Sequence, residues 1–142
     1  ELGRKAFLSG SAGTRAQIYY ALGRLKDADE WAGRAADVVA SDDPDSLWQQ
    51  VRAKVLARRG EHADAERLAR KAIEINDATD MLNAQADAYG DLAEVLTLGG
   101  SSEGAADALQ QALARYERKE NIVMAERVRA RLAELRPSET TV

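Results

Sequence analysis

The fold is decided by residues 53–72, AKVLARRGEHADAERLARKA, where an alanine is followed by a glycine seven residues later, by an alanine five residues after that, and by another alanine seven further on. The same spacing occurs in residues 16–35 (AQIYYALGRLKDADEWAGRA) and 93–112 (AEVLTLGGSSEGAADALQQA). The three glycines are separated by 37 and 40 residues. Such periods are typical of units that bury their apolar faces only against a neighbouring unit. The sequence therefore predicts an array of stacked units.

The sequence of each unit predicts a pair of helices. In the middle copy Asp43 is a plausible N-cap and Pro44 a plausible first helical residue. The apolar stripe that follows stops at Gly60 and consists of Leu47, Val51, Val55 and Leu56. A second helix is predicted from about His62 to Ile75, with one apolar face made of Ala65, Leu68, Ala69, Ala72 and Ile73. Because the connecting turn is so short, the two helices must lie antiparallel.

The outer copies have the same pattern. In the first copy a helix should end near Leu22, and its partner should run from Asp27 to Val39, with Trp31, Ala32, Ala35 and Val38 facing inward. In the third copy a longer helix is predicted over about Asp80–Leu98, followed by Ser101 as N-cap and a helix to about Arg118.

The two ends of the sequence differ from the copies. A last helix is predicted from Ile122 to Leu135 and should cover the end of the array with Ala125, Val128, Leu132 and Leu135. Pro137 should end it, and residues 138–142 should be frayed. Residues 1–9 could be a truncated helix or disordered. Because the sequence starts at Glu1 and not at a methionine, we expect it to be a fragment of a longer chain.

The alanines and glycines of the pattern have a mechanical reason. Two antiparallel helices can cross closely only where the side chains between them are small. The glycine supplies the positive φ that the turn needs.

Composition excludes several classes of function. The 142 residues are 45% hydrophobic, which suits one domain with a real core. A net charge of −4 offers no general attraction to nucleic acid or to anionic lipid, and no apolar run is long enough to span a membrane. With no cysteine, the chain has no disulfide and no thiolate site, which fits a reducing, cytoplasmic compartment.

At this spacing the pattern resembles the tetratricopeptide repeat, over about Ser9–Arg118. The resemblance implies an all-α fold, a right-handed α-solenoid of antiparallel helix pairs, in one domain over residues 1–142. Its repeats would span about 9–42, 46–79 and 80–118, with the capping helix at about 121–136. The family's usual packing aromatic is replaced here by Ala32, Ala69 and Leu109, its usual final proline is absent, and the long periods imply an irregular superhelical twist.

A looser resemblance concerns the amino-acid sequence of residues 19–31 and 78–96. It is similar to the repeat tails of large actinobacterial signalling proteins, which join a class III nucleotide cyclase or a transcriptional output domain to an NTP-hydrolysing switch module. This implies a context in a larger signalling protein, not a chemistry in this segment.

Three groups of residues imitate chemical sites. The segment Gly99–Gly104 has the glycines of a phosphate-binding loop, but Ala105 and Ala106 stand where lysine and serine or threonine are needed, so a turn is the better interpretation. Calcium ligation by Asp42, Asp43 and Asp45 is less plausible than helix capping. His62 is the only histidine and is best read as a packing residue at a helix start. We therefore expect no catalytic residue, no metal site and no cofactor.

The candidate binding residues are those that the first helix of each pair turns toward the concave groove. Asp87, Asp91 and Glu94 share one helix face, where ligand contact or plain solvation is favoured over acid–base catalysis. The full set is Gln17, Tyr20, Arg24, Gln50, Lys54, Arg58, Asp87, Asp91 and Glu94. Some members of the family use a clamp of basic and amide side chains to hold a peptide's C-terminal carboxylate. The matching positions here hold Gly13, Gln17, Val51, Asp87 and Asp91, so that clamp is absent.

The sequence thus predicts a non-catalytic module that binds a protein or peptide, or another domain of its parent chain, in its groove. The alternative is a structural or dimerising spacer with an empty groove, which would make a homodimer possible. Arginine clusters at residues 58–71 and 127–131 are interleaved with acidic residues, which disfavours nucleic acid as a partner.

Overall fold

A computed structural model describes the backbone of residues 2–38 and 45–135 and the side chains of residues 11–38 and 45–135. These ranges hold seven helices and no strand, as the helical periodicity predicts. The helices are α1 (Leu2–Ala21), α2 (Leu25–Val38), α3 (Leu47–Arg58), α4 (His62–Asp77), α5 (Leu82–Leu98), α6 (Ser102–Arg118) and α7 (Ile122–Leu135).

Most predicted helix bounds are confirmed within two residues. The bounds of α7 are the predicted ones, and α4 continues two residues beyond Ile75. The start of α5 is shifted by two residues from the predicted one: Asp80 lies before the helix, Met81 is its N-cap and Leu82 is its first residue. Ser101 is the N-cap of α6 as predicted, but its hydroxyl makes no capping hydrogen bond.

Some predictions fall on residues outside the described ranges. They concern Asp42, Asp43 and Pro44 before α3, and Pro137 with residues 138–142 after α7. In the described part α3 begins at Leu47, with Ser46 as its N-cap. At the other end, the backbone is helical from Leu2, so residues 2–9 continue α1.

The helices pack in chain order, and every helix contacts the next one. In addition, α1 contacts α3, and α3 contacts α5. Helices α1, α3 and α5 therefore form a continuous inner layer, as in a helical repeat solenoid. We call the side of this layer that faces away from α2, α4 and α6 the inner face.

The repeated small residues lie where the helices meet. The nine alanines that define the repeated spacing are completely buried, namely Ala16, Ala28, Ala35, Ala53, Ala65, Ala72, Ala93, Ala105 and Ala112. Gly23, Gly60 and Gly100 have φ values of 76°, 85° and 83°, which only glycine adopts at low cost. The structure thus confirms both roles inferred from the sequence: small residues lie between closely packed helices, and a glycine with positive φ forms each of the three turns.

Two hydrophobic clusters hold the array together. The larger one extends from α3 to α7, with Leu109 completely buried in it. The smaller one joins α1, α2 and α3 around Val51 and Val55, with Trp31 packed against it. Trp31 is half-buried, and two guanidinium groups lie over its ring, those of Arg15 at 4.7 Å and Arg34 at 4.4 Å from the ring centroid.

The end helix α7 covers the larger cluster with Ala125, Val128 and Leu132, and Leu135 packs at its edge. Its Ile122 and Val123 remain exposed. Among the described helices, none combines the length and the apolar character required to cross a bilayer.

Candidate binding groove

The inner face carries most of the residues predicted to line the groove. The predicted residues of α1, α3 and α5 come together there, and most of them contact one another. The contacts divide the inner face into a cross-linked centre and an open cavity beside it.

The centre is held by an ion pair between α3 and α5. The Nζ of Lys54 lies 3.1 Å from Oδ1 of Asp91, and the two side chains are only 8% and 20% exposed. Burial raises the pKa of Asp91, and the nearby charges of Glu94 and Asp87 raise it further, whereas the Lys54 ammonium opposes the shift. Because these two largely buried charges pair with each other, they hold α3 against α5.

Tyr20 connects α1 to the same centre. Its hydroxyl donates a hydrogen bond to Glu94 and accepts one from Nε of Arg58 at 3.0 Å. The Nζ of Lys54 lies 4.6 Å from the centroid of its ring. Burial, together with the hydrogen bond to Glu94, raises the pKa of Tyr20 to about 12. We call Tyr20, Lys54, Arg58, Asp91 and Glu94 the polar ladder, because they cross-link α1, α3 and α5.

Arg24 does not join the polar ladder. Its guanidinium pairs with Asp27 of α2 at 2.8 Å and lies 4.7 Å from the ring centroid of Tyr19. Both contacts are with residues of the first helix pair. Arg24 follows the glycine turn and lies outside α1, so the helical register that places Gln17 and Tyr20 on the inner face does not extend to it.

Beside the polar ladder an open cavity of about 360 Å³ lies between α1, α3 and α5. Three predicted groove residues line it, Gln17, Gln50 and Asp87. Leu47, Met81 and Ala84 add apolar surface. We call the space bounded by these six residues the inner cavity.

A buried hydrogen-bond network forms the floor of the inner cavity. Gln50, only 6% exposed, donates from Nε2 to the hydroxyl of Ser46 at 3.0 Å. Asn76 at the end of α4 donates from Nδ2 to the same hydroxyl at 2.5 Å and to the carbonyl of Ala72 at 2.9 Å. Such satisfied networks fix side-chain positions, so the floor is preformed.

Asp87 differs from the two other predicted acidic residues. It is exposed, and it accepts a hydrogen bond from the hydroxyl of Tyr116 on α6. Within the described residues no lysine or arginine forms an ion pair with it. Burial and this hydrogen bond raise the pKa of Tyr116, so the phenol stays a donor. Asp87 is thus a fixed carboxylate at the edge of the inner cavity.

The inner face continues toward α7. A second opening of about 210 Å³ lies beyond the polar ladder, between Arg58, Glu94 and Arg131. Charges of both signs line it, those of Arg58 and Arg131 and those of Glu94 and Glu134.

Sequence reasoning missed the residues that form the floor and the apolar wall. Ser46 was overlooked because Asp43 looked like the better cap, and Asn76 because it lies on a second helix. A signal for Asn76 was present, since it is an amide at the end of a helix face that otherwise carries alanine and isoleucine. Met81 was placed inside α5, whereas it is the exposed N-cap residue.

Two of the groups that imitated chemical sites, the glycine segment and His62, lie at turns or helix starts in the described part of the chain. Gly99 and Gly100 form the turn between helices α5 and α6, as the turn interpretation predicts. His62 is exposed, and its ring borders Gly99, where an added Cβ would lie 3.6 Å from it. In residues 11–38 and 45–135 no three histidine, aspartate or glutamate side chains are grouped so as to hold a metal ion.

Comparison with known proteins gives one family. Residues 52–76, which include the middle turn and most of α4, match the family model described as tetratricopeptide repeat. No curated protein matches the chain. The match and the seven stacked helices support a tetratricopeptide repeat protein, of a family whose repeats are typically non-catalytic and generally mediate interactions between proteins.

Proposed function

We propose that this chain is an interaction module that binds a peptide segment of a partner, or of a neighbouring domain in its parent chain, along the inner face. One observation carries this proposal. The polar ladder satisfies its own charges and leaves the inner cavity open beside it.

The polar ladder suits such a role because it keeps the surface in shape before a ligand arrives. Three helices are tied by contacts among Tyr20, Lys54 and Asp91, and the cavity floor is fixed by hydrogen bonds. A preformed surface loses little conformational entropy on binding, which favours affinity. Charged groups at its rim then select the partner and increase the association rate.

The proposed role is non-catalytic. The acidic residues of the inner face are engaged with Lys54, Tyr20 and Tyr116. With a single histidine in the sequence, the chain offers no histidine pair for proton transfer. The groups present are better suited to holding a ligand than to transforming one.

A variant whose inner cavity is filled by a larger side chain tests the proposal. Ala84→Trp would fill the inner cavity from α5, whereas Ala63→Trp adds the same side chain to an exposed site on α4. Peptides selected on the unmodified chain from a random displayed library should lose about tenfold or more in affinity for Ala84→Trp, a loss typical of a central contact residue. They should bind Ala63→Trp as before.

Circular dichroism first establishes that both variants keep the helical content of the unmodified chain. Peptides that bind Ala84→Trp unchanged but are lost on Ala63→Trp would place recognition on the opposite side of the array. That result would contradict the proposal.

A second candidate function is a structural or dimerising spacer. Exposed apolar side chains at both ends of the described array favour it, Ile18 and Leu22 near the end of α1 and Ile122 and Val123 at the start of α7. Light scattering on the isolated chain tests it. A monomeric mass at high concentration would contradict dimerisation, and a dimer that Ile18→Glu or Val123→Glu dissociates would support it.

The cellular setting is proposed from the sequence. The absence of cysteine supports work in a reducing cytoplasm. The resemblance of residues 19–31 and 78–96 to signalling-protein repeat tails supports a place within a bacterial signalling protein.

A further inference from the structure

The charges that the described residues bring to the lining of the inner cavity are all of one sign. Its charged lining residues are Asp45 and Asp87, and within the described residues no lysine or arginine lines it. Oδ1 of Asp45 accepts the backbone N–H of Leu47 at 3.0 Å and so caps α3.

The neighbouring polar ladder supplies no cation to Asp87. Two cations on α3, Lys54 and Arg58, face three carboxylates on α5. Lys54 pairs with Asp91, and Arg58 reaches Glu94 through the hydroxyl of Tyr20. One negative charge of this set remains, and it lies at the edge of the inner cavity.

The wall of the cavity is apolar beside this carboxylate. Leu47 and Ala84 are half-buried, and Met81 is 60% exposed at the N-cap of α5. A flexible thioether adapts to irregular aliphatic groups. Long cationic side chains bury their methylene stems on such surfaces and keep the charged head near a polar group.

The size of the cavity fits one such side chain. A volume of about 360 Å³ is at the lower end of ligand pockets, and it suits one long side chain with adjoining backbone. The amide groups of Gln17 and Gln50 lie in the same lining and offer hydrogen-bonding groups to that backbone.

We propose that the inner cavity receives a lysine or arginine side chain of a bound peptide, with Asp87 as its counter-ion and Met81, Leu47 and Ala84 against its methylene stem. This inference rests on the proposed function and names the chemical class of its ligand. The opposite of the family's carboxylate clamp is expected here, since an acidic ligand would meet Asp87 as a like charge.

An apolar side chain fits less well. It would cover the Asp87 carboxylate and remove water from it without supplying a partner, which costs free energy. A cation both replaces the lost water and compensates the charge. The cavity therefore discriminates by charge and not only by shape.

Peptide pools with one fixed central residue test the inference. The pools carry arginine, lysine, glutamine, leucine or glutamate at that position, and uncharged small residues elsewhere. Fluorescence anisotropy measures their affinity for the unmodified chain, for Asp87→Asn, and for Asp107→Asn, which removes the same charge from an exposed site on α6. The arginine and lysine pools should bind best, and Asp87→Asn should weaken them by about fivefold, the upper range for a solvent-accessible ion pair.

Gln17→Lys gives a second variant, because it places a resident cation in the same cavity. It should also remove the preference for basic pools, and Asp107→Asn should keep it. Binding led by the leucine or glutamate pool would overturn the inference while leaving groove binding intact. A basic preference that survives both Asp87→Asn and Gln17→Lys would overturn it too, and binding of no pool would contradict the inference and the proposed function together.

Discussion

The Nζ of Lys54 lies 3.1 Å from Oδ1 of Asp91, and this ion pair joins α3 and α5, which are the first helices of the second and third helix pairs. Both groups are largely withdrawn from water. Their value to the protein lies in positioning, because a buried pair gains little net stability over an apolar pair of the same size.

Removing one partner of this pair should be costly. Asp91→Ala leaves the Lys54 ammonium buried without its counter-ion, and we expect the free energy of unfolding to fall by about 3 to 5 kcal/mol. Urea denaturation measures this change.

Two further variants control that experiment. The double variant Lys54→Met with Asp91→Leu should recover much of the loss, since no charge is left unpaired. Glu30→Gln breaks the exposed pair with Arg34 and should cost less than about 1 kcal/mol. Equal losses for Asp91→Ala and Glu30→Gln would show that Lys54 and Asp91 are not coupled in a buried site.

The hydroxyl of Tyr20 makes stability depend on pH in the alkaline range. Its pKa is raised from 10.0 to about 12 in the folded chain, so the folded state holds this proton more tightly than the unfolded state does. The contribution is therefore fully present below pH 10 and is lost as the pH rises toward 12.

The stability difference between the unmodified chain and Tyr20→Phe isolates this effect. It should be constant from neutral pH to about pH 10, near the ordinary pKa of tyrosine, and should decline above it. Denaturation curves at several pH values provide the measurement. A difference that grows above pH 10 would have the wrong sign for this account.

The small residues between helices should resist enlargement. Ala65 is completely buried, so Ala65→Leu should overpack the contact of α3 with α4 and cost about 1 to 3 kcal/mol. Ala63→Leu adds the same atoms at an exposed site of the same helix and should change stability little. Thermal denaturation of the two variants compares them, and similar melting temperatures would argue against close helix packing at Ala65.

Substitution by alanine should have opposite effects on stability at a turn glycine and at a glycine within a helix. Gly60 has a φ of 85°, so Gly60→Ala should destabilise by about 1 kcal/mol even though space is available for the methyl group. Gly90 lies within α5 with nothing described within 4 Å of an added Cβ, so Gly90→Ala should stabilise by about 0.5 to 1 kcal/mol. Urea midpoints measure both, and stabilisation by both variants would contradict the positive-φ role of Gly60.

The sequence predicted the architecture well because its signals were local and repeated. Ala16, Ala53 and Ala93 recur at one spacing, and each lies buried at a helix contact. The turn glycines likewise act within a few residues of chain. Helix bounds followed from the same information, apart from small shifts at Asp80 and Asp27.

The candidate site was harder to predict because its contacts join distant parts of the chain. Register placed Lys54 and Asp91 on one face, but nothing in it indicates that they neutralise each other across 37 residues of sequence. The hydrogen bond from Tyr20 to Glu94 spans 74 residues. The inner cavity depends on Asn76 and Met81 as well, which belong to helix ends and not to the face that periodicity selects.

Mapping the bound peptide on the chain tests the central claim most directly. Amide chemical shifts of the isotope-labelled chain, followed during titration with a library-selected peptide, report which residues sense the ligand. Binding along the inner face should shift Gln17, Gln50 and Asp87 most strongly. Shifts concentrated on the outer helices around Ala63, or at Ile18 and Val123 on the two ends, would contradict the account.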